Sequence, residues 1–93
     1  MKKPAHFKFR LYIAGASPNS RQALANLKVL CAEFLTDRHE IEVVDILIDS
    51  ARALLDGVML TPTLVKLSPL PTQTITGTLS PREAIIQAFG LVT

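Results

Sequence analysis

The chain has 93 residues, of which 48% are hydrophobic and 19% charged, a balance that gives one ordinary globular domain with its own core and excludes an intrinsically disordered chain. Its net charge of +2 falls well short of the basic stripe of a nucleic-acid binder, and no apolar run approaches the ~20 residues of a membrane span. The single cysteine, Cys31, cannot close an internal disulfide and suits a reducing compartment. The basic start Met1-Lys2-Lys3-Pro4-Ala5-His6 has no apolar stretch of signal length before Arg10, so the expected location is cytoplasmic.

Taken in chain order, Phe7, Phe9, Leu11 and Ile13 alternate with Lys8, Arg10 and Tyr12, predicting a strand with one apolar face. Gly15-Ala16-Ser17-Pro18 breaks it, with Ser17 suited to cap a helix and Pro18 to its first position. Ala23, Leu24, Leu27, Leu30, Cys31 and Phe34 then form one apolar stripe of a long helix that fades near Asp37-Arg38-His39. Ile41 through Ile48 reads as a second strand, parallel to the first because a helix crosses over between them. Asp49 or Ser50 caps a short helix over Ala51 to Asp56, stopped by Gly57.

Pro62 leads into a short strand carrying Leu64, Val65 and Leu67. After the turn Ser68-Pro69-Leu70-Pro71, Thr74-Ile75-Thr76 returns antiparallel. The last helix covers Pro81 to Phe89, with Gly90 as its stop. Its start has the form of a capping box, in which Ser80 caps and Glu83 reaches back to the Ser80 amide. The order β-α-β-α-β-β-α is the thioredoxin-like succession in one α/β domain, residues 1–93.

Candidate chemistry is sparse. Thioredoxin-like oxidoreductases carry a Cys-x-x-Cys pair where the first strand meets the first helix, because the helix N-terminus stabilises a thiolate. Here that junction is Gly15-Ala16-Ser17-Pro18-Asn19-Ser20, and hydroxyls at Ser17 and Ser20 cannot exchange disulfides. Cys31 reads as a small core residue. His6 and His39 lack neighbours at ligand spacing, so no metal site is expected. Asp45 is either exposed or a cap for a neighbouring amide; Asp49 and Asp56 read as helix-end residues. No glycine-rich loop cradles phosphate. No cofactor and no enzyme are expected.

Surfaces remain. Arg21, Gln22, Ala25 and Lys28 lie off the apolar stripe of the first helix, a face that is either merely solvated or used by a partner. With the second strand at a sheet edge, Glu40, Ile41, Glu42 and Val43 either offer backbone groups to a partner strand or, through their glutamates, discourage such pairing.

Five segments then share one register from residue 8 to 89. They are Arg10-Leu11-Tyr12-Ile13-Ala14-Gly15 with Ser17-Pro18-Asn19-Ser20; Val44-Asp45-Ile46-Leu47; Thr61-Pro62-Thr63-Leu64 with Lys66; Gly77 with Leu79-Ser80; and Arg82-Glu83. Together they resemble the KaiB family of circadian-clock proteins, a divergent paralogue of it, with the thioredoxin-like input domain of the SasA clock kinase as a relative. The resemblance implies a non-enzymatic regulator that binds a KaiC-like ATPase ring in its thioredoxin-like state and modulates the ring's phosphorylation cycle. It would engage KaiA or a SasA-type kinase indirectly. It implies partner-binding roles for Arg21, Gln22, Ala25, Lys28, Glu40, Ile41, Glu42, Val43 and Lys66. The family often carries Lys or Arg where this chain has Ala25, Glu42, Gly57 and Thr74, which implies retuned docking.

The family is also metamorphic. The resemblance implies an invariant half, residues 1–48, and a half that can switch fold, residues 49–93, with Pro62, Pro71, Ala88 and Gly90 at the switching positions. Ile85, Phe89 and Val92 share one helical face, whereas a strand would put Gln87 among its apolar residues. The family commonly reads Gly-Leu-Asp where this chain has Ala88-Phe89-Gly90. Alanine for glycine within a helix is worth about 0.8–1 kcal/mol, and Gly90 is the better stop. The expected resting form is therefore the thioredoxin-like monomer, with a tetramer belonging to the alternative fold.

Overall fold

The computed structural model describes residues 5–91; Met1 to Pro4 of the basic start, and Val92 with its expected place on the last helical face, lie outside them. Seven elements follow in order: β1 (Phe7–Ile13), α1 (Pro18–Phe34), β2 (His39–Asp45), α2 (Ser50–Leu55), β3 (Thr63–Ser68), β4 (Gln73–Thr76) and α3 (Arg82–Phe89). The sheet order is β2-β1-β3-β4. β1 pairs parallel with β2, from Phe7 opposite His39 to Ile13 opposite Asp45. β3 lies antiparallel to β1, and β4 antiparallel to β3. The expected succession and the edge position of the second strand both hold.

α1 begins as its sequence implies. Ser17 caps it, accepting from the Ser20 amide, and Pro18 opens the first turn. Ala23, Leu27, Leu30, Cys31 and Phe34 are buried against Phe7, Phe9, Leu11 and Leu64 from the sheet. α3 adds Ile85 and Phe89 to the same face. The opposite face holds a second, smaller cluster of Tyr12, Val44, Ala53 and Val65 beneath α2. Tyr12 is fully buried, so β1 is not the one-faced strand its alternation suggests. An aromatic body fits a core while its hydroxyl reaches polar partners.

Three local expectations are corrected. β2 stops at Asp45 rather than Ile48, because the Asp45 carboxylate accepts from the amides of Gly15 and Leu47 while its carbonyl accepts from Ile48 and Asp49. That turn ends the strand and sends Leu47 and Ile48 to the surface. Asp49 occupies the cap position of α2, but its side chain makes no capping bond. The capping box of α3 does not form: Pro81 sits at the N-cap position with a non-helical ψ of 78°. The Ser80 hydroxyl instead accepts from the Gln22 side-chain amide and bonds to Thr78. Gly90 ends α3 with φ +65°, the left-handed conformation in which an L side chain is strained.

Candidate functional site

Three connections gather at one end of the sheet. β1 and β2 end there and β3 begins there, since Ile13 pairs with Asp45 and Tyr12 with Thr63. In open α/β sheets the carboxyl ends of the parallel strands are the usual binding end. Asp45 ties the first two connections together through Gly15 and Leu47. The third carries the cis Thr61–Pro62 bond. It is held by Gly77 donating to the Pro62 carbonyl and by the Thr63 hydroxyl donating to the Leu60 carbonyl, at 2.9 and 2.6 Å. At the head of α1, where dithiol enzymes place their sulfurs, the Ser17 hydroxyl donates to that of Ser20 at 2.8 Å, and Ser20 in turn accepts from the Ala14 amide. Both hydroxyls serve the backbone.

On this end and around α2 stand six large apolar side chains: Leu47, Ile48, Leu54, Leu55, Met59 and Leu60, each between 66% and 92% exposed. α2 has six residues, about 9 Å of helix, so side chains before, on and after it belong to one surface region. Concentrated apolar exposure of this kind marks an interaction surface, whereas scattered single residues do not. Sequence reading missed it. Leu47 and Ile48 looked like buried strand, and the only other signal was apolar density without period in residues 54–60.

A polar network pins α2 to the sheet beneath that surface. Arg10 on β1 reaches Glu42 at 2.7 Å and Asp56 at 2.9 Å, and Arg52 reaches Glu42 at 2.8 Å. The Tyr12 hydroxyl donates to Asp56 and lies 3.1 Å from the Arg52 carbonyl. Hydrogen bonds from Arg10 and Arg52 hold the Glu42 carboxyl below its ordinary range. The Tyr12 hydroxyl, with Arg10, does the same to Asp56. Burial, with the Asp56 carboxylate beside it, pushes the Tyr12 phenol up. Arg10 is held protonated, chiefly by Glu42. Arg10 and Glu42 also line an open cleft of about 580 Å³ with Lys8, Phe9, Glu40, Ile41 and Leu67; the network itself fixes the helix.

The residues singled out from the sequence fall into separate places. Arg21, Gln22, Ala25 and Lys28 are exposed on α1, with Gln22 bonded to Ser80. Glu40 and Val43 are exposed on β2, Glu40 pairing with Lys8 at 3.7 Å, while Ile41 packs partly into the main core. Glu42 is already engaged by two arginines. Among the described residues no hydrogen bond or ion pair joins the α1 set to the β2 set. Lys66 is corrected: it is 4% exposed, with Nζ 5.9 Å from the ring centres of both Phe7 and Phe89. It packs by cation–π contact and is no surface contact in this structure. Pro62 is buried and cis; Pro71 is exposed and cis. The Ala88 carbonyl accepts from Gln73. Among the described residues no cluster of His, Cys, Asp or Glu could hold a metal ion, and no helix is long and apolar enough to cross a membrane.

The KaiB domain profile matches residues 10–90. The chain belongs to the KaiB family. Circadian clock protein KaiB3 of Synechocystis sp. is 41% identical over 83 residues, covering 89% of this chain and 81% of that protein. The circadian clock oscillator protein KaiB of Synechococcus elongatus is 37% identical over the same shares. Among solved structures, the N-terminal domain of SasA from Synechococcus elongatus superposes with a TM-score of 0.73 at 19% identity, covering 95% of this chain and 84% of that domain. The germline-specific thioredoxin Deadhead of Drosophila melanogaster gives 0.73 at 14%, covering 94% and 82%. These likenesses establish the thioredoxin-like fold, and the sequence relatives establish a circadian-clock family.

Proposed function

We propose that the chain is a non-enzymatic regulator, working in the cytoplasm, that binds a KaiC-like ATPase ring and shifts the ring's phosphorylation cycle. The observation that carries this reading is the apolar surface of residues 47–60 at the binding end of the sheet, on a chain of a clock family. Burying several Leu side chains against a partner supplies affinity without any catalytic group. Arg21 and Lys28, exposed on α1 across the sheet from α2, add a second, charged contact, and the exposed β2 edge, residues 40–43, offers backbone groups to a second protein of the KaiA or SasA type. SasA's input domain has the same fold, which supports competition for one site on the ring. The resting form is the thioredoxin-like monomer, and backbone chemical shifts extended across Ala84 to Phe89 in the main species would overturn that part.

The test is size-exclusion chromatography of this protein with the KaiC-like ATPase of its own source and ATP. Co-elution is expected, abolished by Leu54→Ser with Leu55→Ser and weakened by Arg21→Glu with Lys28→Glu. Separate elution after hours of incubation overturns the assignment. A second reading, a stand-alone interaction module with a non-KaiC partner in signalling or stress response, is favoured by one observation. Glu42, at a position often basic in the family, is bound to Arg10 and Arg52 and so presents no positive charge at the β2 edge.

A further inference from the structure

We propose that Met59 is a site of reversible oxidation by hydroperoxides, and that its sulfoxide closes the apolar surface to its partner; the second clause rests on the docking reading above, the first does not. Met59 is 92% exposed, more than any other large apolar side chain among the described residues. Thioether oxidation needs only access to a sulfur lone pair, so exposure governs which methionine reacts. The other sulfur among the described residues, Cys31, is 1% exposed in the main core. Burial pushes its thiol up to about 11, which leaves almost no thiolate, the reactive form. A dissolved oxidant therefore reaches Met59 before Cys31.

The placement separates modification from unfolding. The backbone on either side is fixed, Val58 donating to the Ala53 carbonyl at 2.8 Å and the Leu60 carbonyl accepting from Thr63. The side chain itself stands in solvent beside Leu54, Leu55 and Leu60, which are also exposed. Oxidation thus changes the chemistry of the surface while leaving the core untouched. The Sδ lone pair attacks the hydroxyl oxygen of the peroxide, the S–O bond forms as O–O breaks, sulfur loses two electrons, and the other oxygen leaves as water or an alcohol, taking up the proton that the sulfur-bound oxygen sheds. A neutral thioether becomes a strongly polar sulfoxide, whose oxygen must lose its hydration to enter an apolar interface. A sulfoxide reductase of the dithiol class reverses the step, supplying two electrons and two protons and releasing water.

The free protein is treated with hydrogen peroxide, the peroxide removed, and the product mapped by peptide mass spectrometry before it meets the ATPase. Sulfoxide at Met59 ahead of any oxidation at Cys31, with an unchanged far-UV spectrum and Tm, is expected; Cys31 reacting first, or Met59 resisting, overturns the modification site. In the binding assay the sulfoxide form should bind about tenfold more weakly, an effect of the size one central apolar contact carries. Methionine sulfoxide reductase with dithiothreitol should restore binding. Met59→Leu, whatever its own affinity, should bind equally before and after peroxide, and a peroxide-induced loss in that variant overturns the second clause. Equal binding of the oxidised and reduced forms overturns the second clause. Failure of the untreated protein to bind overturns the docking reading and with it the second clause, while the peptide map still decides the site.

Discussion

The two faces of the sheet share four strands and are closed by different means. On one, the 17 residues of α1 and those of α3 join the sheet in a cluster of fourteen buried residues, from Phe7 through Leu91, with Val29 and Val43 left partly to solvent. On the other, a six-residue helix buries its own Ala53 against three sheet residues, Tyr12, Val44 and Val65. So short a helix buries too little to hold itself by packing alone, since most helix stability in proteins comes from a packed apolar face. Arg10, Tyr12, Glu42, Arg52 and Asp56 supply the rest as an ion-pair and hydrogen-bond network. Apart from Ala53 and the half-buried Val58, the apolar residues in 47–60 were not kept for the core. Polar ties hold the helix, and the leucines face outward.

Leu27→Ala on α1, a residue 1% exposed, should open a cavity in the larger core. It should cost about 3.5 kcal/mol, the middle of the range for such cavities, read from the urea midpoint. A cost near that of a surface change would mean that the main core is not the stabilising side. Tyr12→Phe keeps the ring in the small cluster and removes the bonds to Asp56 and Arg52. It should cost about 1 kcal/mol and raise hydrogen exchange in α2 more than in α1. Uniform exchange would show that the network does not act locally.

Acid should act on the same face. Glu42 and Asp56 are held below their ordinary range in the folded state, so their contribution is present above the ordinary carboxylate pKa and lost as pH falls through the lowered values. Amide exchange in α2 followed downward from neutral pH should therefore rise before that in α1, and Arg10→Gln should flatten the difference. Smallest of all, Leu54→Ser with Leu55→Ser should change stability by no more than about 0.5 kcal/mol per site. A cooperative loss of fold in that variant would place the leucines in a core after all.

Much of the architecture is legible residue by residue. The stripe from Ala23 to Phe34 can be satisfied only by a helix with one buried face, and Ser17-Pro18 and Gly90 mark helix ends for conformational reasons local to the chain. The α3 start was misread for an equally physical reason. The capping motif was present, but Gln22 on α1, 58 positions away, provided Ser80 with another partner. Lys66 was misplaced because a lone cation in a strand gives no sign that two aromatic rings will flank it.

The candidate surface was hidden by the same logic. Ile46-Leu47-Ile48 has the composition of a buried strand, and only the parallel register that brings Gly15 to the Asp45 carboxylate turns the chain there and exposes Leu47 and Ile48. The sequence alone determined the element order, the start of α1, the stop of α3, the main core and the lack of dithiol chemistry, because each depends on local conformation, on periodicity or on a residue type being present. Which apolar residues stay in water, which charges pair and which lysine is buried were decided by the tertiary structure. Those outcomes rest on contacts between segments far apart in the chain, whose partners no local pattern names.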